Sequence, residues 1–355
     1  MSQLINNSKD IKDIRNISSE ELKRFLDSVK EKPFRSKQIE EWLWKKNVHS
    51  FEEMINLPQK LIEELKNNFT FHSTKILKEA ISQDKTIKLI FQLYDGNLIE
   101  GVLIPSGDRV TACISSQVGC PLKCDFCATG TMGLTRNLFF WEIIDQYALM
   151  NRRSNEAYMN NITNFVFMGM GEPLLNYENV TTAIDLLTSP QGNGISPSRI
   201  TLSTVGLIKG IRQLADDQFK ANLAVSVHVA NDVMRDKLIP ANRANSLAEL
   251  QDALRYYHQK TNQRITIEYV LMDRINDSVD DAERLCKFCK AFPVKINLIQ
   301  YNSTDSKYRS SSPENTRTFI QHLESRNLIV NLRQSRGQDI AAACGQLVKQ
   351  NSKNE

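Results

Sequence analysis

From about residue 110 the sequence alternates short runs of strand character with longer runs of helical period. The strand candidates are RVTACISS, ITNFVFMG, RITLSTVG, ANLAVSVH, RITIEYVLM, VKINLIQ and LIVNLRQS. Between them fall LFFWEIIDQYALMNRR, NVTTAIDLLTS, LIKGIRQLAD, SLAELQDALRYYHQK, DDAERLCKFCKAF and PENTRTFIQHLESR. Strands joined by helical crossovers form right-handed βαβ units, so an α/β fold on a parallel sheet is expected. Such a sheet is either open and doubly wound or curled into a full or partial barrel. Both forms place the functional site at the C-terminal ends of the strands.

The chain before this region reads differently. SSEELKRFL and SFEEM each place Glu three positions after Ser, the spacing of a capping box, so residues 1–75 are expected to form a small helical domain. TIKLIFQLYDGNLIEGVLI then reads as two strands joined at Asp95 and Gly96, a hairpin signal that makes residues 76–109 a β connector. The α/β core covers residues 110–347, and 348–355 are a polar tail. A chain of 355 residues with 41% hydrophobic content can build one large core and an accessory domain. Its first residues are charged and polar, and no apolar run approaches ~18 residues, so the expected location is the cytoplasm rather than a membrane or the exterior. Seven cysteines kept reduced there point to metal binding or catalysis before a disulfide framework. The net charge of +4 is compatible with an RNA partner without requiring one.

CPLKCDFC places Cys120, Cys124 and Cys127 in a C-x3-C-x2-C loop directly after the first core strand. Three thiolates can hold three corners of a cubane iron–sulfur cluster and leave one iron free for a small molecule. A structural zinc completed by a distant ligand, or simple burial, is the alternative. GMGEP sets Gly169 and Gly171 at a strand-to-helix turn, where the backbone could meet a ligand or merely turn. Cys113 reads as a strand-core thiol, Cys344 as a packing residue after the last strand, and Glu100 as a solvated hairpin carboxylate. Cys286 and Cys289 form a C-x-x-C on an amphipathic helix, where packing is the better reading. Arg35, Lys37, Lys45 and Lys46 are interleaved with Trp42 and Trp44, a pattern that suits either RNA contact or helix core.

The cysteine spacing, with Phe126 before the last cysteine, resembles the signature of radical S-adenosylmethionine (SAM) enzymes. Within that superfamily the chain resembles the RlmN/Cfr family of RNA adenine methyltransferases. The matching stretches are ACISSQVGCPLKCDFCATG, FMGMGEPLLN, LSTVG, AVSVHVANDVMRDKLIPAN, IEYVLMD, KINLIQYN and DIAAACGQL, with KPFRSKQIEEWLWKK in the helical domain. The resemblance implies a partial (β/α) barrel with a [4Fe-4S] cluster on Cys120, Cys124 and Cys127 and SAM on the fourth iron. It implies SAM contacts at Gly171, Glu172, Ser203, Ser226, Val227, His228 and Asn302, with Val227 standing where Leu is expected. The implied reaction is methylation at C2 of an adenine in 23S rRNA and in tRNA, using two SAM molecules. Cys344 would accept a methyl group from the first. A 5′-deoxyadenosyl radical from the second would take hydrogen from that methyl, and the resulting carbon radical would add to C2. Glu100 would accept the C2 proton, and Cys113 would resolve the covalent adduct through a transient disulfide with Cys344. The implied partners are the two RNAs and a reducing electron donor; no membrane is involved and the chain is expected to be a monomer. An adenine handled this way must be unpaired or flipped out. Two alternatives remain: C8 methylation of the Cfr type, and an iron–sulfur or zinc protein that binds RNA without chemistry. Pro173 and Val118 favour the C2 type, since Ala and Cys are expected there in the other, and a binding protein would tolerate Cys344→Ala.

Overall fold

A computed structural model describes residues 11–304 and 308–347. The polar tail at 348–355 and the first ten residues of the helical domain lie outside the described residues. Helices α1 (Ser19–Ser28), α2 (Arg35–Trp44) and α3 (Gln59–Asn68) open the chain. The capping box at α1 forms as expected: the Ser18 hydroxyl accepts the Glu21 amide at 3.1 Å and the Glu21 carboxylate accepts the Ser18 amide at 2.7 Å. The second Ser-x-x-Glu does not start an α-helix. Ser50 caps nothing, Glu53 accepts the His49 amide instead at 2.8 Å, and a single 3-10 turn over Phe51–Glu53 ends ahead of Pro58. Leu22, Leu26, Ile39, Trp42 and Leu65 form a core separate from that of the sheet. Trp42 is therefore a packing residue, and Lys46 rests its ammonium 3.5 Å from the ring centroid.

Strands β1 (Lys75–Ile81), β2 (Ile87–Gln92), β3 (Leu98–Ser106) and β4 (Arg109–Cys113) run as an antiparallel ladder. The expected hairpin joins β2 to β3, with Gly96 at φ +80° in the turn. After β5 (Gln117–Cys120) and β6 (Gly133–Asn137) come α4 (Phe140–Tyr158), β7 (Asn164–Phe167), α5 (Tyr177–Thr188), β8 (Ile200–Thr204), α6 (Ile208–Asp216) and β9 (Asn222–Ser226). The chain continues with α7 (Asp232–Leu238), α8 (Leu247–Thr261), β10 (Ile265–Leu271), α9 (Val279–Cys289), β11 (Val294–Gln300), α10 (Pro313–Ser325) and β12 (Ile329–Arg333).

Strands β4 and β7 to β12 are parallel, and the whole sheet runs β1-β2-β3-β4-β7-β8-β9-β10-β11-β12. Its two edges do not pair among the described residues, so the barrel is partial. Every residue of β10 is buried, as expected of a parallel strand covered on both faces. Outside this sheet β5 and β6 form a two-stranded hairpin that brackets the cysteine loop. A Cβ at Gly119 would lie 2.0 Å from the Gly133 carbonyl oxygen, so only glycine permits that crossing. The helical unit is fixed to the barrel by Arg15, which bonds Asp13 at 2.9 Å and Asp145 of α4 at 2.7 Å and sits 4.4 Å from the Trp141 ring. No helix among the described residues is long and apolar enough to cross a membrane.

Candidate active site

The C-terminal ends of the parallel strands surround a cavity, as the topology requires. Cys120, Cys124 and Cys127 form one wall, and Gly171, Glu172, Ser203, Ser226, His228 and Asn302 line the rest. The cysteine loop is a chain of tight turns: the Cys127 amide bonds the Cys124 carbonyl at 3.1 Å, and the Gly130 amide bonds the Cys127 carbonyl at 3.0 Å. A Cβ at Gly130 would come within 2.9 Å of the Cys124 backbone. Burial pushes the Cys120 thiol up to about 12, and the neighbouring Cys127 sulfur adds to the rise; Cys124 is raised still further by the same causes. Three clustered sulfurs, those of Cys120 and Cys124 held protonated by burial until a cation arrives, are a soft donor set, so these residues fit an iron–sulfur group.

Gly171 adopts φ +102°, and a Cβ there would meet the Gln117 side chain at 2.6 Å. The adjoining Glu172 carboxylate accepts the Leu174 amide at 3.1 Å and the Val205 amide at 2.9 Å, which ties the β7 loop to the β8 loop. Burial raises this carboxyl to about 7. His228 sits at φ +56°, its Nδ1 accepting the Val270 amide at 3.1 Å and its carbonyl accepting Asn276 Nδ2 at 2.7 Å. The proton must then be on Nε2, and burial holds the ring neutral by lowering its pKa to about 3. A depressed imidazole pKa makes the unfolded chain bind the extra proton, so folding stability due to this group is full above the unfolded value near 6.5 and is lost as pH falls toward 3. We expect His228→Asn, whose side chain tolerates left-handed backbone, to flatten the decline of Tm across this window; an unchanged decline would contradict the assignment.

Val227 departs from the expected set. Its side chain is fully buried and does not line the cavity; its amide bonds the Glu268 carbonyl at 3.1 Å. Val in place of Leu is thus a matter of core packing. No residue pattern points to Arg235, a buried guanidinium that bonds the carbonyls of Val227 at 3.1 Å and Val205 at 2.6 Å and so holds the loops after β8 and β9 together.

A second cavity lies on the other side of Cys344. It is lined by Cys113 and Arg333, and it shares Met168, Ile299, Asn302 and Cys344 with the first. Asn302 accepts from Gln338 at 2.8 Å and donates to the Cys344 carbonyl at 3.3 Å, which anchors the segment that carries the exposed Cys344. Burial pushes the Cys113 thiol up to about 12, with nearby Cys344 adding to the rise and Arg333 opposing it. The Cys113–Cys344 disulfide, expected as a transient bond, is not formed here: all seven cysteines are free, and these two line the second cavity as separate thiols.

Glu100 is not a solvated carboxylate. It is buried on β3 and paired with Lys88 at 3.2 Å, and Lys88 also donates to the Ala341 carbonyl at 3.3 Å. The register places Lys88, Glu100 and Cys113 on one face, although Glu100 lines neither cavity. Cys286 and Cys289 are buried on the inner face of α9, in keeping with packing. Glu283 and His322 lie beside Cys286, but that carboxylate is engaged by His322 and by Arg326, each at 3.0 Å.

The partial barrel and the three-cysteine cavity define a radical SAM enzyme. The radical SAM superfamily model matches residues 114–289, and the model for a ribosomal RNA large subunit methyltransferase N-terminal domain matches residues 12–70. A crystal structure of a radical SAM methyltransferase from Sphaerobacter thermophilus aligns with a TM-score of 0.88 at 39% identity, covering 95% of this chain and 99% of that one. The chain is 48% identical over 335 residues to a Cytophaga hutchinsonii protein named "Probable dual-specificity RNA methyltransferase RlmN", covering 94% of this chain and 92% of that protein. It is 46% identical to the protein of the same name from Flavobacterium psychrophilum, with coverage of 95% and 97%. The chain belongs to the RlmN family of dual-specificity RNA methyltransferases.

Proposed function

We propose that the protein methylates C2 of an unpaired adenine in 23S rRNA and in tRNA, with Cys344 carrying the methyl group. The observation that carries this reading is the place of Cys344 as a wall residue of both cavities, one with the three-cysteine loop and one with Cys113. Cys120, Cys124 and Cys127 would hold a [4Fe-4S] cluster, and Gly171, Glu172, Ser203, Ser226, His228 and Asn302 would hold SAM beside it. When bound, that pair supplies a methyl donor and, with an electron from an external donor, a carbon radical able to take hydrogen from an unactivated methyl group. Adenine C2 is electron-poor and does not attack a methyl donor as a nucleophile, so a carbon carried on Cys344 must be delivered to it. Splitting the transfer in this way divides one hard step into easier ones.

Cys113 lines the second cavity together with Cys344 and would act on the joined species to free the RNA. Glu100, on the face it shares with Cys113 and already beside the Lys88 ammonium, is the proposed acceptor of the C2 proton. The helical unit over residues 1–75 would serve RNA contact: Lys37, Lys45 and Lys46 are exposed there, while Trp42 is spent on the core. A cytoplasmic site of action suits these substrates. The reading is tested on cluster-loaded protein incubated with SAM before any RNA is added. Peptide mass spectrometry is expected to find a methyl group on Cys344 and none on Cys113, and an unmodified Cys344 would overturn it.

A further inference from the structure

We propose that the buried guanidinium of Arg235 is the counter-charge of the iron–sulfur group, and that its field at Cys124 makes the cluster easier to reduce. This rests on the reading that Cys120, Cys124 and Cys127 hold that cluster. Arg235 lies on α7, does not line the cavity and is only 1% exposed. Its nitrogens donate to the carbonyls of Val227 at 3.1 Å, Val205 at 2.6 Å and Ser226 at 3.4 Å, and to the side-chain oxygen of Asn242. All four acceptors are neutral. Withdrawing a cation from water is unfavourable and neutral dipoles offset this only in part, so buried charges are ordinarily matched by an opposite charge or a metal group. Two carboxylates, Asp232 and Asp236, connect to Arg235 through Asn242, whose amide donates to them at 2.9 Å and 2.6 Å. Asp232 is exposed and Asp236 is half-buried, so water screens both.

The helix that carries Arg235 is tied to the cysteine loop. The Leu238 carbonyl at the end of α7 accepts the Asp125 amide at 3.0 Å, and Leu238 and Ile239 pack with Cys124 in one apolar cluster. Arg235 and Cys124 also feel each other's charge. Burial lowers the Arg235 pKa to about 10, and Cys124 comes ahead of Asp232 and Asp236 among the groups that hold it up. In return, Arg235 opposes the rise that burial and the neighbouring Cys127 and Cys120 sulfurs impose on the Cys124 thiol. Three thiolates around an iron–sulfur core make a net negative group, and an electron added from an external donor makes it more negative. A fixed cation in a water-poor interior therefore stabilises the reduced form more than the oxidised one, and the reduction potential rises. Arg235 thus has two tasks: its hydrogen bonds hold the loops after β8 and β9, and its charge sets the potential of the group on Cys124.

The test is a potentiometric titration of cluster-loaded protein at neutral pH, without RNA, in which electron paramagnetic resonance reads the reduced cluster. Arg235→Gln removes the charge and keeps a hydrogen-bond donor. At the wild-type midpoint it is expected to lower the ratio of reduced to oxidised cluster by about tenfold, or about 59 mV for a one-electron couple. Arg235→Lys keeps the charge and gives up the forked hydrogen bonds, so its ratio should stay within about twofold of wild type. Asp236→Asn takes a negative charge from the far side of Asn242 and should raise the ratio by about twofold, the smaller effect of a screened group. An unchanged midpoint in Arg235→Gln, or equal falls for Arg235→Gln and Arg235→Lys, would show that the guanidinium acts only as a scaffold and would overturn the proposal. If Arg235→Gln retains no iron, the other two variants decide: a wild-type midpoint for Arg235→Lys with a rise for Asp236→Asn supports the proposal, and any other pair of results overturns it. A wild type without a reducible cluster would instead overturn the reading of the three cysteines, so the two failures are distinguishable.

Discussion

Replacing Cys344 by Ala is expected to abolish RNA methylation, by at least about 10³-fold, while iron content and reductive SAM cleavage persist. Two features of the structure separate these effects. Cys344 faces the two cavities and belongs to none of the hydrophobic cores, so a stability change within about 0.5 kcal/mol is expected for Ala. It also lines both cavities, but the cysteine loop that would hold the cluster is completed without it. Methyl transfer to RNA should therefore fail at the carrier, with the radical still generated and spent elsewhere. Nucleoside mass spectrometry for the RNA and chromatography for the cleaved cosubstrate read the two activities side by side. Methylated RNA from the Ala variant would show that the methyl group does not travel through Cys344.

Cys124→Ser is expected to fail differently. The Cys124 thiol is buried, and an oxygen is a harder and less polarisable ligand than sulfur for iron. Iron per chain should fall close to zero after desalting, and SAM cleavage and RNA methylation should be lost together. Retained SAM cleavage in this variant would remove the three-cysteine loop from the mechanism. Taken as a pair, the two variants divide the site into a part that makes the radical and a part that carries the carbon.

The alternation of strand and helix made the barrel legible, because helical crossovers between buried apolar strands leave few other topologies. Local signals were less dependable. The capping box at Ser18 formed, whereas the same spacing at Ser50 yielded one 3-10 turn, since Pro58 follows too closely for a longer helix. The β5–β6 hairpin around the cysteine loop was not foreseen; it depends on Gly119 crossing the Gly133 carbonyl, a close approach that leaves no periodic trace. At the site, spacing alone exposed Cys120, Cys124 and Cys127. The roles of Cys113, Cys344 and Glu100 came only from resemblance, because single residues of common type carry no pattern. Glu100 shows why: a hairpin glutamate is ordinarily wet, and this one is buried with Lys88 of the facing strand under the segment at Ala341, which is distant in sequence. Arg235 and Arg333 were invisible for the same reason, since an arginine that bonds carbonyls or faces a cavity looks like any surface arginine until the chain folds around it.

The reaction proposed for this chain is delivery of a methyl group to adenine C2. Its most direct test is anaerobic reconstitution with iron and sulfide, incubation with SAM, a reductant and unmodified 23S rRNA or tRNA, and mass spectrometry of the digested nucleosides against authentic methyladenosines. The expected product is 2-methyladenosine in both RNAs, formed by wild type and absent with Cys344→Ala. Methylation at C8 alone, or no methylated adenosine from a preparation that holds its cluster and cleaves SAM, would contradict it.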